Sequence, residues 1–155
     1  MIQNEGNSTP LDALTREYTK PDAVDALSLN FETASQLSTS QRTALLLRAS
    51  SSGSIRSIAD LTRRALEYIH VSSLGSSATT LRTLNRRFGR VASRHHTTIQ
   101  EVVLELTERG AIVLLESRGR RALYSDSVWK AQSAYLVSEG ADVSEVMERL
   151  VSSAQ

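Results

Sequence analysis

Arginine is the residue type with the most chemistry to offer in this chain. Of its 18 basic residues all but Lys20 and Lys130 are Arg; Arg82, Arg86, Arg87, Arg90 and Arg94 crowd one short stretch, and Arg118, Arg120 and Arg121 surround Gly119. A guanidinium presents a planar fork that matches phosphate oxygens and guanine edges, which an ammonium cannot do. Between the two groups runs His95-His96-Thr97-Thr98-Ile-Gln100, a string of short polar donors and acceptors. This is chemistry for recognition. Bond-making would need clustered carboxylates or a His–carboxylate pair in a cleft. The acids nearby, Glu101, Glu105, Glu108 and Glu116, follow helix-surface spacing instead. There is no cysteine, and His95-His96 has no third ligand at a suggestive spacing, so neither a metal nor another cofactor is expected. Tyr124 has no activating neighbours for a nucleophile and reads as a packing residue. The expectation is a protein that is not an enzyme.

Charge is unevenly placed. The net charge is only +1, yet residues 71–125 carry nine Arg against four Glu, and residues 39–70 five Arg against two acids. Residues 1–38 hold six acids against two bases, and residues 126–155 five against two. A basic centre between acidic ends is the asymmetry of a nucleic-acid module with interaction flanks. With 40% hydrophobic and 23% charged residues, the chain can build an ordinary globular core. No apolar run approaches the ~20 residues of a membrane span. Met1-Ile-Gln-Asn-Glu-Gly6 has neither the basic nor the apolar part of a secretory leader. The expected location is the cytoplasm.

The elements that would position these residues follow from periodicity and punctuation. Thr9-Pro10 starts a short helix with Leu11, Leu14 and Tyr18 on one face, and Pro21 starts another carrying Val24, Leu27 and Phe31. A helix from Thr39 or Ser40 spans Ala44 to Arg48 and gives way to a flexible linker, Ser50–Ser54. Ile58, Leu61, Ala65, Leu66 and Ile69 form one helical face, with Arg56, Arg63, Arg64 and Glu67 off it, and a loop is expected over Ser72–Ser77. Thr79 or Thr80 caps a helix with Leu81, Leu84 and Phe88 inward, ended by Gly89. Thr98-Ile-Gln-Glu101 is a capping box opening a third helix on Ile99, Val102, Val103 and Leu106, with Gly110 as its left-handed stop. A strand over 111–116, a turn at Ser117-Arg-Gly-Arg120 and a strand over 121–125 complete a hairpin. After it, a helix from about Ser127 carries Val128, Ala131 and Tyr135, with Trp129 and Leu136 on a neighbouring face. Another, boxed by Asp142 and Glu145, carries Val143, Val146, Met147, Leu150 and Val151.

Ala65-Leu-Glu-Tyr-Ile69, Thr80–Gly89, Thr97–Gly110 and the strand–turn–strand Ala111–Tyr124 together resemble winged helix-turn-helix regulators of the MarR and PadR kind, over about 70 residues. The most specific part is Leu106-Thr-Glu-Arg-Gly-Ala-Ile112 feeding an Arg-Gly-Arg-Arg wing. The segment Gly89–His96, read as the turn, is longer than the three or four residues usual in the motif. The expected fold is mainly α (α+β): an acidic helical arm and linker over 1–54, a winged helix-turn-helix with a small β-hairpin wing over 55–125, and C-terminal helices over 126–155.

The physical roles agree with the resemblance. A helix fits the major groove, and its first residues reach base edges. Here these are Thr97, Thr98, Gln100 and Glu101, preceded by Arg94, His95 and His96, and Glu101 has the alternative role of a capping carboxylate. Arg82, Arg86, Arg87 and Arg90 are placed for phosphates, and Arg118, Arg120 and Arg121 for an adjacent minor groove or the backbone. The expected partner is double-stranded DNA, bound sequence-specifically by a transcriptional regulator. A homodimer is expected to pair through Val143, Val146, Met147 and Leu150. No residue marks a site for a small-molecule effector. Two alternatives share the pattern: a plasmid or phage replication or partition factor, and a winged-helix protein scaffold without DNA binding.

Overall fold

The computed structural model describes residues 25–75 and 78–153. The helix expected from Thr9-Pro10 and the start of the one expected at Pro21 lie outside them. In chain order come a 3₁₀ turn Ala26–Ser28, α1 (Phe31–Ser35), α2 (Thr39–Ala49), a 3₁₀ turn Ser52–Ser54, α3 (Ile58–Leu74), α4 (Leu81–Arg94) and α5 (Ile99–Glu108). They are followed by β1 (Ile112–Ser117), β2 (Arg120–Ser125), α6 (Asp126–Ser138) and α7 (Val143–Ser152). The fold is mainly α with one antiparallel hairpin, as expected. No helix of the described residues is long and apolar enough to cross a membrane.

Leu27 and Phe31 do not share a helix. Asn30 accepts from the Thr33 N–H and Thr33 accepts from the Asn30 N–H, so a new helix starts between them. The serine run 50–54 is solvent-exposed apart from half-buried Ser50, but Ala49 before it and Ile55 after it are buried in one core with α3, α4 and α5. It joins two segments that pack in one core.

α3 runs through both layers of the interior. Leu61, Ala65, Tyr68 and Ile69 pack with Leu84, Phe88, Val102 and Leu106 of α4 and α5, whereas Val71 and Leu74 pack on the other side with Leu115, Tyr124 and Val146. The hairpin stands between, sending Ile112 and Leu123 to the first layer and Leu115, Ala122 and Tyr124 to the second. Ile58, expected inward, is exposed, and Glu67, expected outward, is buried. Glu67 is held there by Arg64 at 3.0 Å and Arg63 at 3.2 Å, the charges offsetting its desolvation.

The loop expected at Ser72 begins only at Gly75, because two serines are enclosed. Ser73 Oγ donates to the Ile69 carbonyl and accepts from the Ser125 N–H (3.0 Å). His70 ties the same place together: one ring nitrogen meets the Leu29 carbonyl at 3.0 Å and the other the Ser125 hydroxyl at 2.9 Å. Tyr124, fully buried, has the Ser73 carbonyl and the Gln132 side chain as alternative acceptors for its single O–H, and burial pushes its phenol well above the usual range. It packs the base of the hairpin.

Gly89 does not end α4. The helix continues to Arg94, because Val91 and Ala92 beyond the glycine are buried against α3 and α5. A Cβ at Gly89 would meet nothing within 4 Å. Gly89→Ala is therefore expected to raise stability by about 0.5–1 kcal/mol, read from chemical denaturation, since alanine removes the backbone-entropy cost of a mid-helix glycine. Unchanged or lower stability would mean that α4 breaks at this point in solution.

Past the hairpin, α6 starts at Asp126; of the face expected inward Val128 is buried while Ala131 and Tyr135 are exposed, and Trp129 and Leu136 of the neighbouring face pack beside Val128. In α7, Asp142 accepts from the Glu145 N–H, but the Glu145 carboxylate pairs with Arg149 and leaves the box half made.

Candidate nucleic-acid interface

α4 and α5 meet at an angle set by a tight corner. His95 caps α4, His96 takes φ +58°, and the Thr97 and His96 N–H groups donate to the Ala92 and Ser93 carbonyls, both at 3.0 Å. That is the double bond pattern of a Schellman stop. Thr98 then caps α5, accepting from the Glu101 N–H at 3.2 Å. The Glu101 carboxylate accepts from the Thr97 hydroxyl at 3.0 Å instead of reaching the Thr98 N–H, so the expected capping box is only half formed. With α4 extended, the turn is His95–Thr98, four residues, and the expected excess length disappears. At the far end, Gly110 has φ +74° and stops α5 as expected.

The corner leaves the start of α5 open to solvent. Thr98, Gln100 and Glu101 are exposed, and His95 and Thr97 half-buried. All five arginines of α4, Arg82, Arg86, Arg87, Arg90 and Arg94, are exposed. At 100° per residue they fall within an arc of about 140°, and Arg82 to Arg94 span about 18 Å of helix. α4 carries no acid, and among the described residues none of these guanidinium groups has an ion-pair partner. Arg63, Arg64, Arg109, Arg118, Arg121 and Arg149 elsewhere are each paired.

The hairpin turn is shorter than expected, only Arg118-Gly119, and both residues have positive φ (+51° and +78°). Two such residues match the right-handed twist of the flanking strands. Arg118, Arg120 and Arg121 are exposed; Arg118 reaches Glu148 at 3.2 Å and Arg121 reaches Glu116 at 3.7 Å, surface pairs worth under about 1 kcal/mol each. Thr79 forms a two-way bridge with Leu123, its N–H donating at 3.0 Å, so a short third strand segment before α4 ties that helix to β2.

Thirteen residues were expected to meet DNA, and all lie on α4, its exit corner, the first residues of α5 or the hairpin tip. The four expected to pair two subunits fare differently. Val146 and Leu150 are buried under the chain's own hairpin and α6, Met147 is half-buried against the same cluster, and only Val143 is exposed. The stripe on α7 is therefore filled from within the chain. Among the described residues no group of three or more His, Asp or Glu could hold a metal ion.

No family model, curated protein or solved structure matches this chain.

His96 and Arg118 are the two non-glycine residues with positive φ among those described. The three other left-handed positions, Gly110, Gly119 and Gly140, are glycine. A side chain there costs on the order of 1 kcal/mol. His96→Gly is expected to raise stability by about 0.5 kcal/mol, the strain relieved being partly offset by a freer unfolded chain. A fall in the denaturation midpoint would show that the imidazole makes contacts worth more than the strain.

Proposed function

We propose that this chain binds double-stranded DNA through a winged helix-turn-helix over 55–125 and acts as a sequence-specific transcriptional regulator, without catalysis. One observation carries the reading: the five arginines of α4 are exposed on one side and lack counter-charges among the described residues, while six of the arginines elsewhere (Arg63, Arg64, Arg109, Arg118, Arg121 and Arg149) are ion-paired. Uncompensated like charges on successive turns of one helix repel one another, and a polyanion relieves that repulsion. The element order adds support: helix, short strand segment, helix, four-residue turn, helix, hairpin. The side chains retained at His96 and Arg118 despite backbone strain are both on the proposed DNA-facing edge.

In this reading the α4 arginines hold phosphates and set the register, Thr97, Thr98 and Gln100 enter the major groove, and the hairpin tip follows the neighbouring backbone. The test is the salt dependence of duplex binding, followed by fluorescence anisotropy on full-length protein. With about six phosphate contacts, affinity is expected to fall about 10³-fold between roughly 50 and 200 mM salt. No duplex binding at micromolar protein and low salt would remove the proposal and favour a scaffold role.

A further inference from the structure

Beside α5 lies a groove of about 300 Å³ between that helix, the start of α4 and one face of the hairpin. Leu81, Leu104, Thr107 and Leu114 line it, with Gln100 at one end and Arg121 on the strand side. Leu104 is 59% exposed and Leu114 48%, so large aliphatic surface faces water on the side of α5 that the chain leaves uncovered. The groove's lining has no carboxylate and one cation, Arg121, which pairs with Glu116 at 3.7 Å; the groove adjoins the start of α4, whose unpaired arginines begin at Arg82. None of the acids of α5 is among the lining residues: Glu101 is engaged with Thr97 and Glu105 pairs with Arg109 at 2.7 Å, and Glu108 does not line the groove either.

We infer that this groove receives thymine methyl groups, so that the duplex chosen by this chain carries A·T pairs where α5 meets it. The inference rests on the DNA-binding reading and names the specificity of that same surface. An apolar groove with cationic surroundings suits a ligand that is a polyanion outside and carries methyl groups on its major-groove edge. Thymine is the base that presents such a methyl, and the adenine paired with it offers N6 and N7 to a glutamine side chain such as Gln100. From Ile99 to Glu108 there is no Arg or Lys, so α5 lacks the fork that reads guanine. Arg109, the next cation, is held by Glu105.

The experiment selects duplexes from a random library with the full chain at low salt. The winners are then rebuilt with deoxyuridine in place of thymidine, which removes only the C5 methyl. The expected result is A·T enrichment under α5 and a loss of about fourfold in affinity per contacted methyl, the value of one buried methylene-sized group. Leu104→Ala, a change at an exposed position, is expected to erase the difference between thymidine and deoxyuridine duplexes. G·C-rich winners, or equal binding of both duplexes by the parent protein, would overturn the inference and leave DNA binding standing. Retention of no duplex at all would remove both. A parent protein that self-associates in sedimentation, and is made monomeric by Leu104→Ala, would assign the groove to a second copy and overturn the inference as well.

Discussion

Replacing Arg82, Arg86 and Arg90 together by alanine is expected to weaken duplex binding at about 50 mM salt by about 10³-fold. It should also flatten the plot of log affinity against log salt by about three. Each phosphate contact contributes about 0.9 to that slope, which at 50 mM amounts to about tenfold in affinity per contact. The three side chains lie four residues apart along the open side of α4, so one DNA backbone can engage all of them. Alanine is a strong helix former and the positions are exposed, so α4 itself should persist. Charge alone is controlled by Arg149→Ala on α7, which removes a cation that is paired at 2.9 Å with Glu145 and is not among the proposed DNA contacts. That change is expected to alter affinity by no more than about twofold, the scale of a screened long-range charge. Equal losses per charge removed would reduce the ridge to general electrostatics and take α4 out of the mechanism.

Phe88→Ala is expected to be the most damaging single change to the scaffold that presents this surface. The ring is fully buried and meets Tyr68 edge-on, with centroids 5.8 Å apart and planes at 88°. Truncation forfeits the transfer energy of the ring and leaves a cavity between α3 and α4, a loss of about 3–5 kcal/mol. For a chain of this size that corresponds to a drop of about 10 °C in melting temperature, readable by calorimetry or circular dichroism. Phe88→Leu, which refills part of the volume, should recover much of the loss. The arginines sit on the opposite side of the same helix, so Phe88→Ala should also weaken duplex binding below its melting point, with the salt slope moving less than the affinity. A cost under about 1 kcal/mol would mean that α4 is not docked on α3 through this ring.

Both arguments depend on α4, the element whose end the sequence reading placed wrongly. Gly89 is a local stop signal, and a reading confined to neighbouring residues gives it that meaning. Burial of Val91 and Ala92 against other helices outweighs the ~1 kcal/mol propensity deficit of one glycine, and the helix carries Arg90 and Arg94 onward with it. Extending α4 by one and a half turns shortened the corner to four residues. The four-residue corner has the length that the proposed helix-turn-helix requires.

The buried polar groups were equally illegible. Glu67, His70 and Ser73 are each of a type normally solvated, and each is enclosed because partners satisfy it: Arg63 and Arg64 one turn back on the same helix for the first, and from distant segments Leu29 and Ser125 for the second and Ser125 again for the third. The partners of His70 lie 41 and 55 residues away, beyond any periodicity in a local window.

The amino-acid sequence by itself determined the local chemistry. Thr98 as a cap, Gly110 as a left-handed stop, the Arg118-Gly119 reversal between two apolar strands, and the concentration of arginine between residues 82 and 121 all depend on neighbours within a few positions. What only the tertiary structure decided is which surface each element hides. The apolar stripe of α7 could face a second subunit or its own chain, and it closes over the hairpin. The stripe of α5 beyond its core face, including Leu104, stays open. The physical reason is that hydrophobic burial is non-directional: a repeat specifies that a face needs cover, and the three-dimensional path of the chain supplies it or leaves it for a ligand.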